Sequence, residues 1–159
     1  MRKIFADTIT ELAKQDDKII LVISDNGYGL FDNFIYLFPD RFFNLGVCEQ
    51  SIVGVAAGLS LIGFKPYIYA ITPFLIERAF EQIKLDINQQ KVNVKLVGYA
   101  DYPNDGPTHS EINGKEMMGL FVSIKSYFPE STIEVEQILF ETYLNNNPTF
   151  ISLKKAKNG

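Results

Sequence analysis

The chain of 159 residues is 47% hydrophobic and 21% charged, a balance that fits a folded globular chain and not a disordered one. A formal charge of −4 without a basic stripe excludes a nucleic-acid reader, and one cysteine (Cys48) with one histidine (His109) leaves neither an internal disulfide nor a zinc spacing. No apolar run reaches bilayer length and the polar, amphipathic start lacks a signal-peptide core, so a single cytoplasmic domain over residues 1–159 is expected, with no membrane contact and no metal site of its own.

In chain order, Ile4, Phe5, Ile9 and Leu12 mark one face of a helix over residues 4–15. "IILVIS" (residues 19–24) is a β-branched apolar run of the kind buried on both sides in a parallel sheet. "DNGYG" (25–29) breaks it as a loop. "RFFNLG" is a second strand, and "EQSIVGVAAGLSLIG" is a helix closed by Gly63. "KPYIYAI" follows as a strand, with Pro66 near its start, where a missing donor is tolerated. In "PFLIERAFEQIKLDI", Leu75, Ala79, Ile83 and Ile87 recur at steps of four and predict a helix. "VNVKLVGY" is a strand and "ADYPNDGPTHSEING" a long polar loop. A weaker helix and strand share "KEMMGLFVSIKSYF", and the chain closes with helix "TIEVEQILFETYL", turn "NNNP" and strand "TFISLK". Alternating strands and helices predict an α/β fold, a doubly wound, mostly parallel sheet with helices on both faces. Sites in such sheets gather after the carboxyl ends of strands, which here points to the loops at 25–29, 45–50 and 99–110.

Those loops hold the unusual residues. Glu49 lies between two apolar runs, Leu45 to Cys48 and Ile52 to Ala56. In a first helical turn an acidic residue offsets the helix-end charge by about 0.3–1 kcal/mol, which is one role for it. The other uses its apolar neighbours, because a carboxylate drawn partly out of water can share a proton with a ligand nitrogen. His109, in "NDGPTH", is either an exposed loop residue or a proton carrier near neutral pH beside Asp105, with Gly106 and Pro107 fixing the backbone. Phe74, Arg78 and Phe80 share one helix; such aromatics are usually core, and the alternative is an aromatic wall for a planar heterocycle. Cys48 reads as a small apolar residue. "GYG" at 27–29 lacks the dinucleotide fingerprint, and no phosphate-binding lysine loop is present.

Three segments, "FPDRFFNLGVCEQSIVGVAAGLSLIGFKP", "PFLIERAFEQIKLDI" and "NVKLVGYADYPNDGPTHSE", together resemble the pyrimidine-binding domain of the transketolase family of thiamine-diphosphate enzymes. They stand in family order, preceded by "VISDNG", and the resemblance spans nearly the whole chain. It implies the thiamine-diphosphate-binding fold. It also implies that Glu49 hydrogen-bonds a ring nitrogen of the cofactor's aminopyrimidine and favours the tautomer that takes a proton from the thiazolium carbon. Phe74 and Phe80 would pack on the pyrimidine, Asp25 would lie near the cofactor or a subunit interface, and Asp105 and His109 would face a sugar substrate. The Gly-Asp-Gly type motif that serves Mg²⁺ and diphosphate in complete enzymes does not occur here. The resemblance therefore implies a small subunit of a split transketolase, a homodimer within a heterotetramer, whose partner subunit binds the diphosphate through Mg²⁺. The expected chemistry is ketol or acyl transfer between sugar-type substrates. A subunit of a thiamine-dependent 2-oxo acid decarboxylase or dehydrogenase, and a catalytically silent interaction domain, stand as alternatives.

Overall fold

The structure is a computed structural model that describes residues 1–99, 106–110 and 113–154. Helix α1 (Arg2–Gln15) leads into strand β1 (Ile19–Ile23), whose five residues are all buried. Helix α2 (Asp32–Leu37) and strand β2 (Phe42–Asn44) follow, then helix α3 (Glu49–Leu61) and strand β3 (Lys65–Ile71). The next helical stretch is wound mainly as π-helix, Phe74–Arg78 and Ile83–Gln89, around one α-helical turn, α4 (Phe80–Gln82). Strand β4 (Lys95–Tyr99), helix α5 (Gly114–Gly119), strand β5 (Lys125–Tyr127), helix α6 (Thr132–Tyr143) and strand β6 (Thr149–Leu153) complete the described chain.

The six strands form one sheet in the order β2-β1-β3-β4-β6-β5, and every pair is parallel. Side chains alternate across it. Ile20, Val22, Ile68, Ala70, Leu96 and Phe150 point to one face, packed against α3, α5 and the π-helical stretch. Leu21, Ile23, Tyr67, Tyr69, Val97 and Ile151 point to the other, packed against α1, α2 and α6. Both faces are thus apolar, as a sheet covered on both sides requires, and the doubly wound α/β expectation holds.

Two details position the site. From β1 the chain first moves outward to β2, then crosses back to β3 on the other side of β1. That reversal opens a crevice beyond the carboxyl ends of β1 and β3. In the strip that follows β3, Leu75, Ala79, Ile83 and Ile87 are all fully buried, as their spacing predicts. The winding differs from the regular helix expected there. A π turn carries an extra residue and is concentrated at functional sites, and here the first π segment ends at Arg78. Helix α2 has no counterpart in the sequence reading, since only Phe34 of its six residues is buried.

Candidate active site

Ser24, the residue after β1, and Glu49, the first residue of α3, meet across the crevice. The Ser24 hydroxyl donates to Glu49 Oε1 at 2.5 Å, and both residues are buried, at 6% and 3% exposure. Ser24 is itself tied to the sheet, its amide donating to the Tyr69 carbonyl of β3. Arg78 approaches from the opposite side, with Nη1 donating to Glu49 Oε2 at 3.3 Å. Its guanidinium lies 3.6 Å over the ring of Phe74, and that ring meets His109 edge-on with centroids 4.8 Å apart. The fold therefore brings Glu49, the Phe74–Arg78 segment and His109, far apart in the chain, into one connected row.

Local sequence explains how Glu49 arrives there. Gly46 has φ of 79°, a left-handed conformation that glycine adopts without strain, and it turns the chain from β2 into α3. Asn44 braces this turn by accepting from the amides of Asp25 and Gly46, while its own amide group donates to Asp25 Oδ1 at 2.9 Å. Asp25 is thus a brace of the loop after β1, next in sequence to the serine that holds Glu49. It lines a separate cavity of about 290 Å³ with Asn26, Tyr28, Phe31 and Asn44. The buried Asn26 Oδ1 has no hydrogen-bond partner among the described residues.

Glu49 and Arg78 line a smaller cavity, about 180 Å³, with Val47, Cys48, Gln50 and Ser51. Complete small-molecule sites usually span about 300–1,000 Å³, so this cavity is the size of one part of a site. Its chemistry suits the pyrimidine end of thiamine diphosphate: a buried carboxylate for a ring nitrogen and an aromatic face nearby. No cluster of three or more metal-ligating side chains occurs among the described residues. No helix among them is long and apolar enough to cross a membrane.

Phe80 turns away from this row. Phe80 packs on Phe121 at 4.9 Å and joins the core between the sheet and α5. Positions six apart do not share a helix face, so Phe74 and Phe80 turn to different neighbours. Asp105 lies outside the described residues. Cys48 is half-buried, its thiol donating to the Leu45 carbonyl. Ser24 is the hydrogen-bond partner of Glu49 that sequence reasoning missed, since a serine at a strand end carries no pattern of its own.

Residues 1–159 match the family described as transketolase, pyrimidine binding domain. The chain belongs to this family. It is 41% identical over 123 residues to an apulose-4-phosphate transketolase subunit of Actinobacillus succinogenes, covering 76% of this chain and 40% of that protein. To the equivalent apulose-4-phosphate transketolase subunit of Phocaeicola vulgatus it is 33% identical, over 98% of this chain and 51% of the other. A solved structure described as a split gene transketolase, inactive beta4 tetramer, superposes with a TM-score of 0.87 at 29% identity, over 96% of this chain and 50% of that one. Transketolase from Campylobacter jejuni has the same fold, with a TM-score of 0.86 at 16% identity, over 99% of this chain and 26% of that one. This transketolase pyrimidine-binding domain thus spans about half the length of its two apulose-4-phosphate transketolase relatives or less.

Proposed function

We propose that this chain supplies the pyrimidine-binding half of a thiamine-diphosphate site in a split transketolase-like transferase, and that a separate subunit supplies the diphosphate-binding half. The single observation that carries this reading is Glu49. It is a carboxylate at 3% exposure, at the mouth of a helix, on the wall of an open cavity at the switch point of the sheet. A structural first-turn acid has no need of that burial.

The geometry supports the following roles. Glu49 holds or passes a proton at the ring nitrogen of the aminopyrimidine, with Oε1 fixed by Ser24. Phe74 offers a flat apolar face. His109, whose ring meets Phe74, exchanges protons with substrate hydroxyls in this reading. Bound thiamine diphosphate supplies a nucleophilic carbon and an electron sink for breaking the bond beside a carbonyl. The names of the two apulose-4-phosphate transketolase relatives favour a phosphorylated ketose as donor class.

Assembly completes the site in this reading. Val47, just before α3, and Val55, within it, are 63% and 44% exposed and suit burial between two copies of this chain, each flanked by a partner subunit. Mg²⁺ and the diphosphate are assigned to that partner, because phosphates need a cation and fixed donors. Calorimetry tests this division. The chain alone should show little binding of thiamine diphosphate, and adding the diphosphate-binding subunit should produce Mg²⁺-dependent binding. Tight, metal-dependent binding and full turnover by this chain alone would overturn the split-site reading.

A further inference from the structure

We infer that Arg78 is a displaceable latch on Glu49, holding the place of the cofactor's ring nitrogen until the cofactor arrives. The inference rests on the thiamine reading of the site and adds a regulation of it.

The two oxygens of Glu49 are held unequally. Oε1 receives a 2.5 Å hydrogen bond from Ser24, a buried residue anchored to the sheet. Oε2 receives the Arg78 guanidinium at 3.3 Å, well beyond the ~2.7–2.9 Å of a strong charge-assisted bond. Burial is unequal too. The Glu49 side chain is 3% exposed and the Arg78 side chain 41% exposed, so the cation can swing into water while the carboxylate cannot.

That asymmetry sets the order of events. A buried carboxylate stripped of its ionic partner is strongly disfavoured, so Arg78 leaves only when another donor takes its place. The ring nitrogen of an aminopyrimidine that takes up one proton from solvent as it binds is such a donor, and Arg78 and Glu49 line the same cavity. Binding is therefore an exchange of donors at Oε2, with Ser24 keeping Oε1 and the direction of the carboxylate. The stack on Phe74 gives the latch a defined closed position. Its effect is to hold Glu49 aimed in the empty subunit, at a cost in cofactor affinity.

The exchange gives a sign that a merely structural arginine would not. Arg78→Met removes the competitor, and Arg78→Lys keeps the charge on a shorter, unforked side chain. Thiamine diphosphate with Mg²⁺ is titrated calorimetrically into the assembled complex of this chain with its diphosphate-binding subunit. Arg78→Met should bind on the order of 10-fold more tightly than wild type, the scale of one hydrogen bond to a charged group, with Arg78→Lys between them. Turnover is not the readout, because a displaced Arg78 is free to act elsewhere in the site. Equal or weaker binding by both folded variants overturns the latch and leaves the thiamine reading standing. A wild-type complex that binds no thiamine diphosphate overturns the thiamine reading, and the latch falls with it.

Discussion

Ser24 and Glu49, 25 residues apart in the chain, share a buried 2.5 Å hydrogen bond that joins the end of β1 to the start of α3. The sheet's switch point thereby fixes the direction of one carboxylate. Ser24→Ala leaves Glu49 Oε1 buried without its donor, a loss of about 1–3 kcal/mol. Urea unfolding should show a lower midpoint at unchanged slope. Turnover of the assembled complex should fall as well, though less than the ~10²-fold expected on removing the acid–base group itself. An unchanged midpoint together with unchanged turnover would remove Ser24 from the site.

His109 touches the row at Phe74. In the proposed site it serves the substrate, so His109→Ala should slow transfer by roughly 10²-fold while sparing activation of the cofactor carbon. Stopped-flow transfer rates, set beside proton exchange at that carbon without substrate, separate the two. Equal losses in both would assign His109 to the cofactor or to the fold.

Gly98, in β4, lies against the residues that lead from β3 into the π-helical stretch. A Cβ there would stand 2.4 Å from Thr72 Oγ1 and 3.2 Å from the Phe150 ring. Gly98→Ala should therefore destabilise by about 1–3 kcal/mol, the usual cost of overpacking. Thr72 Oγ1 is buried without a hydrogen-bond partner among the described residues, so Thr72→Ala removes the clash at little expense. Thermal melts of the double variant should show less destabilisation than the sum of the singles. Strict additivity would mean that the two groups do not meet.

How much of this is legible in the sequence follows from the kind of signal each residue carries. β1 and β6 are short β-branched or apolar runs, and both prove to be buried at every position. Glu49 announces itself as a charge inside apolar sequence. Strand order carries no local signal, so the placing of β6 between β4 and β5 comes from tertiary packing alone. The π winding is equally silent, because a spacing of four suits both an α-helix and its wider relative. Arg78 reads only as a surface or ion-pair group, and Ser24 not at all, since their importance lies in what they touch.

Lys95 opens β4 at the end of the sheet far from the candidate site and is 1% exposed, donating to the Asn147 carbonyl at 2.6 Å. Burial, with Lys65 adding repulsion, pulls its ammonium down to about 7. Between that value and about 10.4 the unfolded chain binds a proton at this lysine that the folded chain has released. Stability should then rise with pH from about 7 upward. Tyr67, pushed upward by burial, opposes this only above about pH 10. Denaturant unfolding at about pH 6.5 and about pH 9.5 should show the rise in wild type and its loss in Lys95→Met. A flat wild-type profile would contradict it.

The central claim is that Glu49 activates a thiamine cofactor whose diphosphate is held by another subunit. Deuterium exchange at the thiazolium carbon of bound thiamine diphosphate, in the assembled complex without substrate, tests it most directly. Glu49→Gln keeps the shape and an acceptor for Ser24 but cannot exchange a carboxyl proton. Wild type should exchange rapidly and Glu49→Gln at least ~10²-fold more slowly, with cofactor still bound. Equal exchange rates in the two complexes would contradict the account.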